Sequence, residues 1–307
     1  MSDESSESTH IFIDEKTSIY EGEQAAALLA EQAKKQFVDP QWGVVEVDQE
    51  RWEEAQRYER RTWLENARRR FSDRNEYHRE RFAGYTSILG RKFKRVIELG
   101  CGPFTNMRFI LELCDIDQIH LLAPLIEDYL THSFCKYYRR RMGGLLNENL
   151  GRLSGYLRHP LSAFLSKLND WQIGGLSGRP VAIEKSMIET YETNKSFDLV
   201  VMINVLEHCR SAATVFEKID QILLPDGIFV YHDKMYKAAE VERLSSVRYD
   251  AGHPLRVDQS MIEGFLNKHF EPLMRAEYLV HDEFHGLHMS YREIYFVGQK
   301  YRTTLSV

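Results

Sequence analysis

The chain has 307 residues, 43% hydrophobic and 28% charged, with 8 Pro and 18 Gly, which suits a packed core of one large or two modest domains and excludes wholesale disorder. No apolar run approaches the roughly 20 residues of a bilayer span and no basic stretch leads into an apolar one, while four cysteines without a CxxC pair (Cys101, Cys114, Cys135, Cys209) form neither a disulfide scaffold nor a zinc ribbon. A cytoplasmic protein without a membrane span is expected. A net charge of −6 speaks against a generally basic nucleic-acid binder, although residues 131–180 are locally basic, with Lys136, Arg139, Arg140, Arg141, Arg152, Arg158, Lys167 and Arg179 against Glu148 and Asp170.

Residues 1–47 read as an acidic tail and leader whose first ten residues, Ser-rich and poor in apolar side chains, are expected to fray. Residues 48–93 read as helical: Trp52, Ala55 and Tyr58, with Trp63 and Ala67 half a turn round, place an aromatic stripe among Glu and Arg residues, as one long or two shorter helices. At Lys94 the pattern changes. Val96 to Leu99 is a short β-type run ended by Gly100-Cys101-Gly102-Pro103, and a helix follows from Asn106 to Leu113. Further strands are predicted at Gln118–Ala123, Pro180–Ile183, Phe197–Ile203 and Gly227–His232. Helices are predicted at Ala212–Leu224, stopped by Pro225-Asp226-Gly227, and at Met261–Phe270. Glu277–Val280 and Glu293–Val297 close the chain as an antiparallel hairpin at the edge of an otherwise parallel sheet. Between the second and third strands, Lys136 to Arg141 and the later Leu150, Leu153, Leu157, Leu161, Phe164, Leu165, Leu168 pattern suggest an insertion of amphipathic helices.

A Gly-rich turn between a strand and a helix lets backbone approach a ligand, and the helix start offers unpaired N–H groups. Glu98-Leu99-Gly100-Cys101-Gly102-Pro103-Phe104 supplies the first two glycines of such a turn, with Phe104 in place of a third. Downstream stand Phe197-Asp198-Leu199-Val200, then Asn204-Val205-Leu206-Glu207-His208, then Leu224-Pro225-Asp226-Gly227. Together these stretches resemble the class I S-adenosylmethionine-dependent methyltransferases over about residues 94–235, with Asp226 at a position where the family commonly has Gly.

The resemblance implies a Rossmann-like, doubly wound α/β fold of seven strands with a reversed C-terminal hairpin, occupying 94–299 and preceded by an N-terminal helical lid at 48–93, with the helical insertion at 131–180 and a tail at 300–307. It implies S-adenosylmethionine as cofactor and S-adenosylhomocysteine as product. By position, Glu98, Gly100, Cys101 and Gly102 are expected at the amino-acid part of the cofactor. Pro124 and Leu125 follow the second strand, Met187, Ile188 and Glu189 are expected by the adenine, Asn204 and Val205 near the sulfur, and Tyr58 and Trp63 in the lid. One position departs from the pattern: the acid that holds both ribose hydroxyls in the family is replaced by Ala123, leaving Glu127, Asp128, water or backbone to substitute, or marking a non-catalytic binding domain.

Methyl transfer to a hydroxyl calls for a base near neutral pKa. His232, oriented by Asp233, with His208 and His253, forms the catalytic candidate set; a divalent cation held by some of His208, Asp233, His253, His281 and His285 is the alternative, though the spacings fit no standard metal motif and no ligand is assigned. Arg139, Arg140, Arg141 and His285 are the candidate acceptor-binding residues, the arginines suiting an anionic group. The insertion could equally cap the site or make a homodimer contact. The expected activity is transfer of a methyl group to a small-molecule acceptor such as a natural product or sugar, at oxygen. The rivals are N- or C-methylation, a non-catalytic binding domain, and an RNA or protein acceptor, the RNA version resting on the basic segment.

Overall fold

The computed structural model describes residues 34–64, 74–131, 135–140, 173–176, 179–245, 248–284 and 287–302, together with 10–13, 19–21, 27 and 29–31. Strands β1 (His10–Ile13), β2 (Ile19–Glu21), β3 (Gln36–Asp39) and β4 (Gly43–Val47) come first, in a leader in which no strand was expected. Helix α1 (Gln49–Leu64), which carries Trp52, Ala55, Tyr58 and Trp63 of the aromatic stripe, and helix α2 (Asn75–Arg81) follow. Then β5 (Lys92–Leu99), α3 (Met107–Ile110), β6 (Asp115–Leu122), α4 (Ile126–Tyr129), β7 (Tyr138–Arg140), β8 (Ile173–Leu176), β9 (Arg179–Glu184) and β10 (Phe197–Ile203) lead to α5 (Ala212–Ile222). The chain ends with β11 (Leu223–Met235), α6 (Ala238–Ser245), β12 (Arg248–Tyr249), β13 (Arg256–Val257), α7 (Gln259–His269), β14 (Phe270–Phe284) and β15 (Leu287–Lys300).

The main sheet runs β14-β15-β11-β10-β5-β6-β9-β8-β7. Its seven-stranded core is β14 to β9. The five strands β11, β10, β5, β6 and β9 are parallel, and β15 lies antiparallel between β11 and β14. This is the doubly wound arrangement with a reversed hairpin that the sequence implies. Strand order reverses beside β5, which has β6 on one side and β10 on the other, and that reversal opens a crevice at the C-terminal strand ends. Both faces are covered, as a parallel sheet requires. Ile97, Leu99, Val200, Met202, Phe229 and Phe296 pack on the side of α5 and α7, while Val96, Leu121, Val201, Val230 and Val297 pack against Phe82, Tyr85 and Ile88 on the other.

Two elements differ from expectation. Lys136–Arg140 does not begin a helix: β7 and β8 add an antiparallel pair to the outer edge of β9, where unpaired backbone groups of an edge strand would otherwise be exposed. The rest of the expected helical insertion, 141–172, lies outside the described residues, as do residues 1–9 of the expected frayed tail. The closing hairpin is also longer than the β-type runs indicated, pairing from Phe270 with Lys300 to Phe284 with Leu287. Among the described residues no helix is long and apolar enough to cross a membrane.

Candidate active site

The turn after β5 has two glycines in the left-handed region, at φ +66° for Gly100 and φ +52° for Gly102, and they do different work. A Cβ on Gly100 would lie 2.4 Å from Val205 Cγ1, so the glycine lets the turn touch the end of β10. A Cβ on Gly102 would meet no atom within 4 Å. That side of the turn is open to a ligand. From behind, Tyr137 Oη donates to the Gly102 carbonyl at 2.7 Å and the Lys136 amide to the Pro103 carbonyl at 2.9 Å. Glu98 lies beneath the turn, almost wholly buried, its carboxylate accepting from Thr105 Oγ1, the Asn106 amide (2.9 Å) and Asn106 Nδ2 (3.1 Å). Burial raises its pKa and those bonds pull it down, with burial the stronger. Turned this way, Asn106 presents a buried Oδ1 with no partner among the described residues.

The second wall comes from the end of β10. Asn204 takes φ +57°, a conformation that Asn tolerates better than most residues, and its amide bonds the His232 carbonyl at 2.8 Å. Asp233 caps the turn that follows, accepting from the Val205 and Leu206 amides at 3.0 and 2.6 Å, and also bonds the Lys234 amide. Burial and the Glu207 charge push its carboxyl up to about 7. Glu189 fixes the neighbouring loop by accepting from the Arg210 and Ser211 amides.

Helix α1 closes the space between these walls. Arg51, 1% exposed, donates to the backbone carbonyls of Asp250 and Ala251 and pins α1 to the loop before β13. Trp63 meets Phe104 edge-on at 5.9 Å, and Asn75 Nδ2 donates to the Phe104 carbonyl at 3.2 Å. The cavity measures about 450 Å³, within the range of roughly 300–1,000 Å³ typical of small-ligand sites.

At one end of the cavity stand Glu59, His208 and His253. His208 Nδ1 bonds the Gly252 carbonyl at 3.1 Å, an arrangement that protonates Nδ1 and leaves Nε2 as the acceptor. His253 Nδ1 bonds Asp250 Oδ1 at 2.9 Å, and its Nε2 lies 3.5 Å from Glu207 Oε1. Burial alone would push the His253 pKa down, but the Asp250 and Glu207 carboxylates outweigh it and push the group up to about 9. Glu207, 3% exposed, is bonded by Lys234 Nζ at 2.8 and 3.0 Å; burial opposes its charge, yet His253, Lys234 and His208 hold its pKa at about 2.

Of the residues foreseen for the cofactor, Gly100, Cys101, Gly102, Pro124, Leu125, Met187, Ile188, Glu189, Asn204, Val205, Tyr58 and Trp63 all line this one cavity. Glu98 does not, because Thr105 and Asn106 occupy its carboxylate. Ala123 lines the cavity, but Glu127 and Asp128 do not replace its missing acid: they pair outside with Lys185 and Arg60. Among the described lining residues the carboxylates are Glu59 and Glu189.

The expected His232–Asp233 base is not formed. Adjacent residues in a strand face opposite sides of the sheet, and while Asp233 turns to the Val205 turn, His232 packs between the His78 and Tyr295 rings at 4.5 and 4.3 Å. Both His232 ring nitrogens lack a partner among the described residues, the side chain is outside the cavity, and burial, reinforced by His78, keeps its pKa well below the ordinary value. His281 bonds Ser290 on the exposed hairpin. His285 and Arg141 lie outside the described residues, and for Arg139 and Arg140 only the backbone of β7 is described. Gln56, Glu59, His78 and Asn106 join the cavity without having been foreseen. Of these, Gln56 and Glu59 share the Trp52 face of α1, but that this face meets the cavity is decided by where α1 docks.

Residues 175–231 match the model of a methyltransferase domain, a stretch that takes in β9, β10, α5 and most of β11. Solved structures similar to the chain include the N-methyltransferase NodS from Bradyrhizobium japonicum in complex with S-adenosylhomocysteine, at 13% identity over 74% of this chain and 89% of that one, TM-score 0.40. Another is a 1,6-didemethyltoxoflavin-N1-methyltransferase from Burkholderia thailandensis with 1,6-didemethyltoxoflavin and S-adenosylhomocysteine bound, at 15% identity over 87% and 99% of the two chains, TM-score 0.44. These likenesses carry no information on an acceptor. No curated protein matches the chain.

Proposed function

We propose that this chain is a class I S-adenosylmethionine-dependent methyltransferase that binds its cofactor in the cavity under α1 and methylates a small-molecule acceptor held at the Glu59–His208–His253 end, at an acceptor oxygen. Bound there, S-adenosylmethionine supplies an electrophilic methyl group on a sulfonium. The observation that carries the reading is the conjunction at the strand-order reversal: a turn with its Gly102 side open, and beside it the orphaned acceptor Asn106 Oδ1, suited to an ammonium donor. Glu98 is then a positioning residue, holding Asn106 by its Nδ2 so that Oδ1 faces the ligand.

Met187 to Glu189 would flank the adenine, and Asn204 and Val205 the sulfur. The ribose is left to backbone, water and the reach of Glu189, because Ala123 offers no acceptor. Trp63 and Phe104 exclude water from the methionine end. On the acceptor side, His208 Nε2 is the atom free to take a hydroxyl proton, and protonated His253 supplies positive charge beside it. A cavity of about 450 Å³ beneath α1 supports a small acceptor rather than a polymer. The four cysteines are free thiols, in keeping with a cytoplasmic location.

Asn106→Ala tests the reading. Losing a hydrogen bond to a charged group costs about 1.5–3 kcal/mol, so S-adenosylhomocysteine should bind at least about tenfold more weakly. Unchanged affinity would show that the cofactor's amino-acid end lies elsewhere.

A further inference from the structure

Glu59 on α1, His208 after β10 and His253 before β13 come from three separate segments, which is why no spacing in the sequence announces them. One ligand atom from each lies within 4.8 Å of the others, and all three side chains are half-buried and line the cavity. We infer that these three residues form a divalent transition-metal site at the acceptor end of the cavity.

Two imidazoles and one carboxylate suit Zn²⁺, Fe²⁺, Co²⁺ or Mn²⁺, and three protein ligands leave coordination positions open toward the cavity. The outer partners fit as well. Metal-binding histidines commonly donate their second ring N–H to a carbonyl or carboxylate, which fixes the ring and its tautomer. Here His208 Nδ1–H donates to the Gly252 carbonyl at 3.1 Å and His253 Nδ1–H to Asp250 Oδ1 at 2.9 Å. Asp250 is itself held by Arg256 at 3.3 Å. Glu59 Oε2 accepts from Trp63 Nε1 at 2.8 Å, while Glu59 Oε1 lies 3.6 Å from His208 Nδ1. All three residues are thus braced by neighbours, and none of the three bonds runs between two of the ligands. Glu207 is close but engaged by Lys234 Nζ and is not offered as a ligand.

An ion there would take the place of the Nε2 proton on His253, attract an acceptor with one or two oxygen donors and lower the pKa of its hydroxyl, so that the proton leaves to solvent and His208 acts through the ion instead of as a free base. This role, though not the binding itself, rests on the methyltransferase reading.

The test is Co²⁺ loading of the tag-free full chain, read by metal analysis and visible absorption, beside calorimetric titration with S-adenosylhomocysteine. One Co²⁺ per chain with ligand-field bands is expected. His208→Ala should abolish it, Glu59→Gln should weaken it at least about tenfold while S-adenosylhomocysteine still binds, and His281→Ala should leave it unchanged. No Co²⁺ uptake, or full uptake that survives both His208→Ala and Glu59→Gln, would overturn the inference. If S-adenosylhomocysteine binds and Co²⁺ does not, the metal site alone falls and His208 remains the free base; if S-adenosylhomocysteine does not bind, the cofactor reading falls.

Discussion

Gly100 and Gly102 share a turn and a positive φ, but the structure assigns them different costs on substitution by alanine. Each variant places an L side chain in the left-handed region, at about 1–2 kcal/mol. Only Gly100→Ala also drives a methyl group into Val205, at 2.4 Å from Cγ1 and 2.5 Å from Cγ2, an overpacking that typically costs about 1–3 kcal/mol more. Gly100→Ala should therefore destabilise the protein by about 2–5 kcal/mol and Gly102→Ala by about 1–2 kcal/mol. Urea unfolding at equal m-values measures both. Val205→Ala removes the two clashing methyl groups, so the double variant Gly100→Ala/Val205→Ala should recover part of the loss and give a coupling that additive sites would not. Binding should show the reverse order of directness: Gly102→Ala places its methyl group on the open side and should weaken S-adenosylhomocysteine while sparing the fold. Equal losses of stability in the two single variants, or no coupling with Val205, would refute the assignment of Gly100 to packing and Gly102 to the ligand.

His232→Phe replaces a buried ring whose two nitrogens lack partners among the described residues, so stability should hold or rise, by up to about 1–3 kcal/mol; turnover lost with S-adenosylhomocysteine binding intact would restore His232 as a catalytic group. Burial, aided by the Arg74 charge, lowers the His78 pKa from its ordinary value to about 4. The unfolded chain thus binds the proton more readily than the folded one between about pH 6.5 and pH 4, and the native state loses about 3 kcal/mol across that window as pH falls. His78→Phe should lack this loss, and in the difference between variant and wild-type unfolding curves the opposite titration of Asp233 cancels; a flat difference would contradict the burial of His78. Asp233→Asn leaves one carbonyl oxygen for amides now shared between two carboxylate oxygens, and should lower stability and cofactor affinity together without shifting the pH profile of turnover. A shifted profile would mark Asp233 as a proton carrier.

The strands of the doubly wound core were legible because buried parallel strands read as short apolar runs, and Phe197–Ile203 is found with its expected bounds. Asp226 shows how a local rule survives substitution: standing where the family commonly has Gly, it takes φ +62°. Helix α7 was legible from its apolar spacing, which Phe265 and Leu266 bury. The leader strands β3 and β4 were not legible: they pair with each other across a short turn, but the sheet they join is completed by β13, more than two hundred residues away, and β7 and β8 depend on the free edge of β9. The same limit applies in the cavity. The glycines, Met187 to Glu189, Asn204 and Val205 belong to turns set by neighbouring residues, whereas His78 and Glu59 arrive on helices whose placement is decided by distant contacts such as Arg51 with the carbonyls of Asp250 and Ala251. His232 was misplaced for a nearer reason, the alternation of side chains along β11.

The most direct test of the account is calorimetric titration of the full chain with S-adenosylmethionine and S-adenosylhomocysteine. The account predicts one site per chain for each ligand, weakened at least about tenfold by Asn106→Ala. A folded protein that releases no binding heat with either ligand, or binds both as well after Asn106→Ala, would contradict it.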